Sequence, residues 1–290
     1  PKKQLFLRLG DAYHGDTLGA VGVGGIELFH RVFGPLLVQS IAIPSPAHDE
    51  TALARLEHEL ATRANEIAAF VMEPLVQGAA GMLMHPVGFL KRASELCREY
   101  RVHLIADEVA TGFGRTGRLF ACEHEGVSPD FLCLAKGMAG GYLPLAATLA
   151  TEEIFEAFLG KQIELKQFFH GHTFTANPLA CAVGLESLKL LREETLANAQ
   201  EQIPALEAAG ARIGKLLGVR EVRQCGLMLG IDLVSRGTLL GASVCARARA
   251  HGVILRPLGN VVVWMPPLSL RKDDLALLER ATTAAINEVA

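Results

Sequence analysis

An α/β fold built on a mainly parallel sheet is what this 290-residue sequence predicts, and three observations carry that prediction. Short apolar runs end in glycine-rich turns. These runs alternate with stretches of helical periodicity, and two of them end next to a charged residue, Asp107 and Lys136. Apolar runs bounded by turn signals read as buried strands, and strands alternating with helices read as a parallel sheet covered by helices. Ligands in such sheets collect at the carboxyl ends of the strands. A charged residue delivered there is a candidate for chemistry.

The elements follow in order. Leu5 to Leu9 already reads as a strand, so the chain is expected to begin inside a domain whose upstream part is missing. The glycine-rich stretch Tyr13 to Gly25 lacks the spacing of a dinucleotide loop and reads as a backbone-permissive loop. Between His48 and Ala69, Leu53, Leu56, Leu60 and Ile67 follow helical spacing, with Asp49 and Glu50 at the amino end. Phe70 to Glu73 reads as a strand stopped by Pro74. A helix carrying Phe89, Leu90, Ala93, Leu96 and Cys97 leads into the strand that ends at Asp107. Phe131 to Ala135 is the strand before Lys136, and Leu145 to Ala150 is another, followed by a short helix near Thr151.

Asn177 and Pro178 make a good helix start, with the Asn as cap and the Pro in the first turn. The helix that follows, Leu179 to Leu191, is apolar enough to expect one tightly packed face. The polar stretch Arg192 to Thr195 marks the expected boundary between a large domain (1–192) and a smaller α+β domain (193–290). The latter reads helix, strand (Gly226 to Leu233), helix, hairpin, helix. The hairpin joins Val253–Pro257 to Val261–Met265 through Gly259 and Asn260.

Composition narrows the function. Thirty-one acidic and 28 basic residues give a net charge of −3, with no basic block and 6% aromatics, which argues against a nucleic-acid partner. No apolar run reaches membrane-spanning length. The six cysteines form no C-x-x-C pair and read as reduced, packed thiols, so a cytoplasmic location is expected. His170 and His172 flank Gly171 with no cysteine or acidic cluster beside them, so no metal site is expected.

An acid and an amine at one sheet edge suit pyridoxal phosphate (PLP). The Lys136 amine forms the Schiff base and the Asp107 carboxylate keeps the pyridine nitrogen protonated. That proton makes the ring a better sink for electrons from a carbanion beside the substrate nitrogen. The lysine also shuttles protons once the substrate displaces it, and a lysine that sheds water at such an edge favours its nucleophilic form. Taken singly, a strand-end Asp more often caps a turn and a Lys more often faces solvent. Together, each followed by a glycine turn, they favour the cofactor.

The run Ile105-Ala-Asp-Glu-Val-Ala-Thr-Gly-Phe-Gly-Arg-Thr-Gly117, with Lys136 after it, resembles the class III aminotransferases, PLP enzymes of fold type I. Three more stretches share in the resemblance: Tyr13 to Ala20, Glu73 to Met82 and Phe169 to Ala182. The resemblance implies that Lys136 and Asp107 are catalytic, that Tyr13 stacks on the cofactor and that Val109 packs on it. Gln77 is a weaker candidate for the cofactor's phenolic oxygen, and a turn amide explains it nearly as well. It implies that Thr173 reaches the cofactor phosphate of a neighbouring subunit, so that each site needs two chains of a homodimer. Arg256 would bind a substrate carboxylate, Asp16 would sit near the amino donor, and Gly171 would lie in the substrate site. Arg115 would anchor the glycine turn or form an internal ion pair. Val263 and Trp264 stand where the family often has a tyrosine, which would alter substrate fit.

The same resemblance implies small-molecule substrates. The expected acceptor is 8-amino-7-oxononanoate, a precursor in biotin synthesis, with S-adenosylmethionine or lysine as donor. The rivals are a class III enzyme for ornithine, 4-aminobutyrate or another ω-amino acid, and a catalytically silent fragment that serves as a dimerisation scaffold.

Overall fold

A computed structural model describes residues 3–27, 31–234, 237 and 239–289. The elements run β1 (Leu5–Leu9), α1 (Leu18–Gly22), β2 (Ser40–Ile43), α2 (Ala52–Arg63), β3 (Ile67–Met72), β4 (Val76–Gln77), β5 (Leu83–Met84), α3 (Phe89–Glu99), β6 (His103–Asp107), β7 (Phe131–Leu134) and β8 (Ala147–Ala150). They continue α4 (Glu152–Glu156), α5 (Pro178–Leu190), α6 (Leu196–Ile213), β9 (Val219–Cys225), β10 (Met228–Leu233), α7 (Leu240–Ala250), β11 (Arg256–Leu258), β12 (Val261–Trp264) and α8 (Lys272–Val289).

The large sheet has the order β2-β1-β3-β6-β7-β8. Its pairings are parallel except for β8, which runs antiparallel to β7. Leu7, Leu9, Phe70, Met72 and Leu104 from the strands pack with Leu56 and Leu60 of α2 and Leu90 and Leu96 of α3 in one buried core. Burying each such side chain favours folding by about 1.5–3 kcal/mol. The second sheet, β11-β12-β10-β9, is antiparallel throughout. Its core joins Leu229, Ile231 and Trp264 to residues of α6, α7 and α8. Among the described residues no helix is long and apolar enough to cross a membrane.

Several expectations need correction. Ile67 does not extend α2. The helix ends at Arg63, and Ile67 opens β3, where it pairs with Leu5. A β-branched residue leading an apolar run gains more from the sheet than from another helical turn. The Tyr13 to Gly25 stretch is not loop throughout, because α1 lies within it. Its final glycine is forced: a Cβ on Gly25 would stand 2.6 Å from the Asp11 amide nitrogen.

Helix α5 is capped as expected, with the Asn177 side chain accepting from the Leu179 and Ala180 amides. Its packing is not as expected. Leu179 and Leu185 are exposed, and only Ala180 and Gly184 are buried in the single chain. A π-helical turn, Leu191–Thr195, joins α5 to α6 as one helical run through the polar stretch Arg192 to Thr195. β9 was not anticipated. Its Arg220 and Arg223 pair with Asp232 of β10, so charges sit where a strand usually shows apolar residues.

Candidate active site

Four neighbouring parallel strands, β1, β3, β6 and β7, end along one edge of the large sheet. The segment after β1 delivers Tyr13 and His14, and the residue after β3 is Glu73. Asp107 ends β6, and Lys136 follows β7. Met72 pairs with Ala106, so Glu73 and Asp107 leave adjacent strands side by side. The backbone at Lys136 is left-handed (φ 35°), a strained conformation for a side-chain-bearing residue. Gly137 is required next: a Cβ there would lie 2.7 Å from the Phe113 Cβ. One cavity of about 690 Å³ is lined by Tyr13, Asp16, Asp107, Val109, Lys136 and Arg256.

Asp107 is 9% exposed and its carboxylate is oriented from two sides. Its Oδ2 lies 2.7 Å from His14 Nδ1, and its Oδ1 accepts the Val109 amide at 3.0 Å. The turn-capping role and the site-facing role therefore coexist in one side chain. Glu108 is spent differently. It is buried and accepts the Ala121 and Cys122 amides at 2.6 and 2.8 Å, and burial raises its acid range. Two consecutive acids thus divide the work, one facing the cavity and one holding the turn behind it.

Tyr13 donates its hydroxyl to Asp16 Oδ2 at 2.9 Å. Desolvation, then this bond, raises the phenol above its ordinary range. Arg256 reaches the cavity from β11 of the second sheet, beside an apolar wall of Met82, Met228, Leu258, Val263 and Met265. Arg115 makes no ion pair among the described residues. Its Nη1 donates to the Pro266 carbonyl at 2.5 Å, and burial lowers its pKa to about 10. It ties the glycine turn to the segment that carries Met265.

Other expected residues lie elsewhere. Gln77 is fully buried and off the cavity wall. Its Oε1 accepts from Ser45 Oγ at 2.5 Å and its Nε2 donates to the Gly10 carbonyl at 2.7 Å, so the amide ties β4 to the end of β1. Gly171 lines a second opening of about 1190 Å³, which meets the first at Lys136. Thr173 is exposed between His172 and Phe174, both on that rim. Trp264 faces away from the site, packed in the core with its Nε1 donating to Thr282 Oγ1 at 3.0 Å, while Val263 lines the cavity. Lys136 is exposed in the single chain, so the shedding of water expected for it is not supplied by its own chain. The sequence reading missed two residues. His14 sits inside the Tyr-His-Gly stretch, and Glu73 ends an apolar strand just as Asp107 does.

The chemistry of this donor set fits the pyridine ring of PLP. A nearly buried carboxylate, braced by an imidazole and an amide, shares a cavity with an aromatic side chain and a primary amine.

The sequence matches the class-III aminotransferase family over residues 1–286. It is 47% identical to an adenosylmethionine-8-amino-7-oxononanoate aminotransferase of Geobacter sulfurreducens, across 100% of this chain and 69% of that protein. A protein of the same name from Aquifex aeolicus is 47% identical across 99% of this chain and 68% of its own length. Among solved structures, that of the Methanocaldococcus jannaschii aminotransferase of that name superposes with a TM-score of 0.95 at 39% identity, covering 100% of this chain and 69% of the other. A PLP-bound amine transaminase from an uncultivated Pseudomonas species gives 0.94 at 35% identity, over 100% and 71%. With a family match running nearly end to end and the same fold in a PLP-bound transaminase, this chain belongs to the class III aminotransferases and is a pyridoxal-phosphate-dependent transaminase.

Proposed function

We propose that the chain transaminates 8-amino-7-oxononanoate to 7,8-diaminononanoate, a step of biotin synthesis, with S-adenosylmethionine as the amino donor. The observation that carries this reading is that Arg256, Lys136 and a methionine-rich wall line one cavity. An oxononanoate offers a carboxylate for the guanidinium and an aliphatic chain for the methionines. The relatives at 47% identity are 8-amino-7-oxononanoate aminotransferases, which supports the same acceptor. Residues 1–192 would hold the cofactor and residues 193–290 would supply Arg256.

Bound PLP supplies the electron sink for the carbanion left when a donor carbon loses its proton. Asp107 holds the proton on the ring nitrogen, while His14 and the Val109 amide keep its carboxylate aimed. Lys136 Nζ would hold the cofactor and would move a proton from the donor carbon and back. Tyr13 would cover the ring and exclude water, and its hydroxyl holds the Asp16 carboxylate at the cavity wall.

The test is turnover of 8-amino-7-oxononanoate with S-adenosylmethionine or lysine as donor, against ornithine and 4-aminobutyrate. Turnover of an ω-amino acid with none of the oxononanoate contradicts the reading. Arg256→Lys is expected to raise KM for the acceptor by about 10- to 100-fold and to change kcat far less, because a bidentate fork becomes a point charge. A kcat loss with KM unchanged would take the carboxylate away from Arg256.

The chain works as a homodimer in this reading. Phe168, Phe169, Phe174, Leu179 and Leu185 are all exposed in the single chain, and Phe174 and Leu179 line the opening that meets Lys136, apolar side chains that a second copy would cover. Thr173, exposed between His172 and Phe174, would reach the cofactor phosphate of the second copy. Lys136→Ala and Thr173→Ala chains, each weak alone, are therefore expected to recover about a quarter of wild-type activity when mixed at limiting cofactor. Half the dimers are then hybrids with one intact site. Activity no greater than the sum of the separate variants would show that the sites are not shared. All six cysteines are unpaired, which suits a reducing, cytoplasmic setting.

A further inference from the structure

We propose that Glu73 is a positioning residue for transamination, whose negative charge, acting through His14 and Asp107, helps the site hold a cationic pyridine ring. The proposal rests on Asp107 as the partner of the ring nitrogen.

Glu73 leaves β3 beside Asp107 and is 5% exposed. Its Oε1 accepts the Tyr13 amide at 3.3 Å and its Oε2 accepts the Gly78 amide at 2.9 Å. The carboxylate thus clips the Tyr13–His14 segment to the glycine turn between β4 and β5. His14 and Asp107 both act on it electrostatically, and all three line the 690 Å³ cavity. His14 has one ring nitrogen on Asp107, while its buried Nε2 has no hydrogen-bond partner among the described residues.

The charges explain the arrangement. Two carboxylates and one imidazole leave a net negative cluster even when the imidazole is protonated. A protonated pyridine ring beside Asp107 brings that cluster to neutrality. Removing the charge of Glu73 removes part of the attraction for the ring's proton, although Glu73 never touches the ring. Burial pushes Glu73 up to about 7, against the opposing pull of His14 and the two amides. Its charge is therefore present above neutrality and lost below it. Tyr13, Asp16, Lys136 and Arg256 also face this cavity and titrate or carry charge in it.

A charge role and a purely structural clip predict opposite outcomes for two variants. Glu73→Gln keeps length and one acceptor but no charge. Glu73→Asp keeps the charge but is too short to bridge both amides. Cofactor affinity is measured by absorbance titration of the apoprotein between pH 6 and 8, with kcat and KM alongside. Glu73→Gln is expected to weaken PLP binding about tenfold at pH 8, to flatten its pH dependence near 7, and to lower kcat with KM for the acceptor little changed. Glu73→Asp is expected to stay within about threefold of wild type. An aspartate variant that loses as much as the glutamine variant, or a glutamine variant that binds like wild type, overturns the proposal. Asp107→Asn is the control. If it binds PLP like wild type, the premise itself fails. If it loses binding while Glu73→Gln does not, only the Glu73 proposal fails.

Discussion

Lys136→Ala is expected to abolish transamination, cutting kcat by about 10⁴-fold or more, while the protein keeps its fold. In the proposed mechanism two functions would vanish with one side chain: the covalent hold on the cofactor and the proton transfer at the donor carbon. Little structure vanishes with them. Lys136 is exposed and lies outside the hydrophobic cores, and alanine inherits the same left-handed backbone. The stability change should stay within about 0.5 kcal/mol. Steady-state rates and a thermal melt on the same preparation check both halves. Turnover within tenfold of wild type would remove Lys136 from the chemistry.

Asp107→Asn should cost about 10²- to 10³-fold in kcat, or roughly 2.7–4 kcal/mol of transition-state stabilisation, because an amide cannot hold the ring proton as a carboxylate does. The asparagine oxygen can still accept the Val109 amide, and its amide nitrogen can donate to His14 Nδ1 in the tautomer that accepts there, so local bonding is largely kept. The stability cost should be about 1 kcal/mol. The comparison of the two losses is the informative quantity. A denaturation curve that shifts by as much free energy as the rate, with unchanged activity per folded molecule, would make Asp107 a turn residue.

The legible part of the fold was the part with local periodicity. The runs ending at Asp107 and Lys136 are short, apolar and stopped by glycine, and each lies where the strand reading put it. The Asn177 cap was equally local. What local pattern cannot carry is which strand lies beside which. His14 meets Asp107 only because β1 and β6 both flank β3, a matter of sheet order that neither segment encodes alone. Gln77 shows the reverse. Its motif pointed to the cofactor, yet its amide oxygen accepts from Ser45, its nitrogen donates to the Gly10 carbonyl, and it lies off the cavity wall. Helix α5 was read as packed from its apolar content, but apolar content says that a face is to be covered and not by what. β9 escaped because Arg220, Glu221 and Arg223 break its apolar pattern: both arginines pair with Asp232 on the next strand, and Glu221 pairs with Arg223.

The central claim is that Lys136 is the amine that takes up the cofactor. Borohydride reduction of the protein in the presence of PLP, followed by trypsin and mass spectrometry, tests it most directly. The account predicts a phosphopyridoxyl mass on a single peptide running from Leu119 to Lys161, left uncut at Lys136. The added mass on a different lysine, or on none, would contradict it.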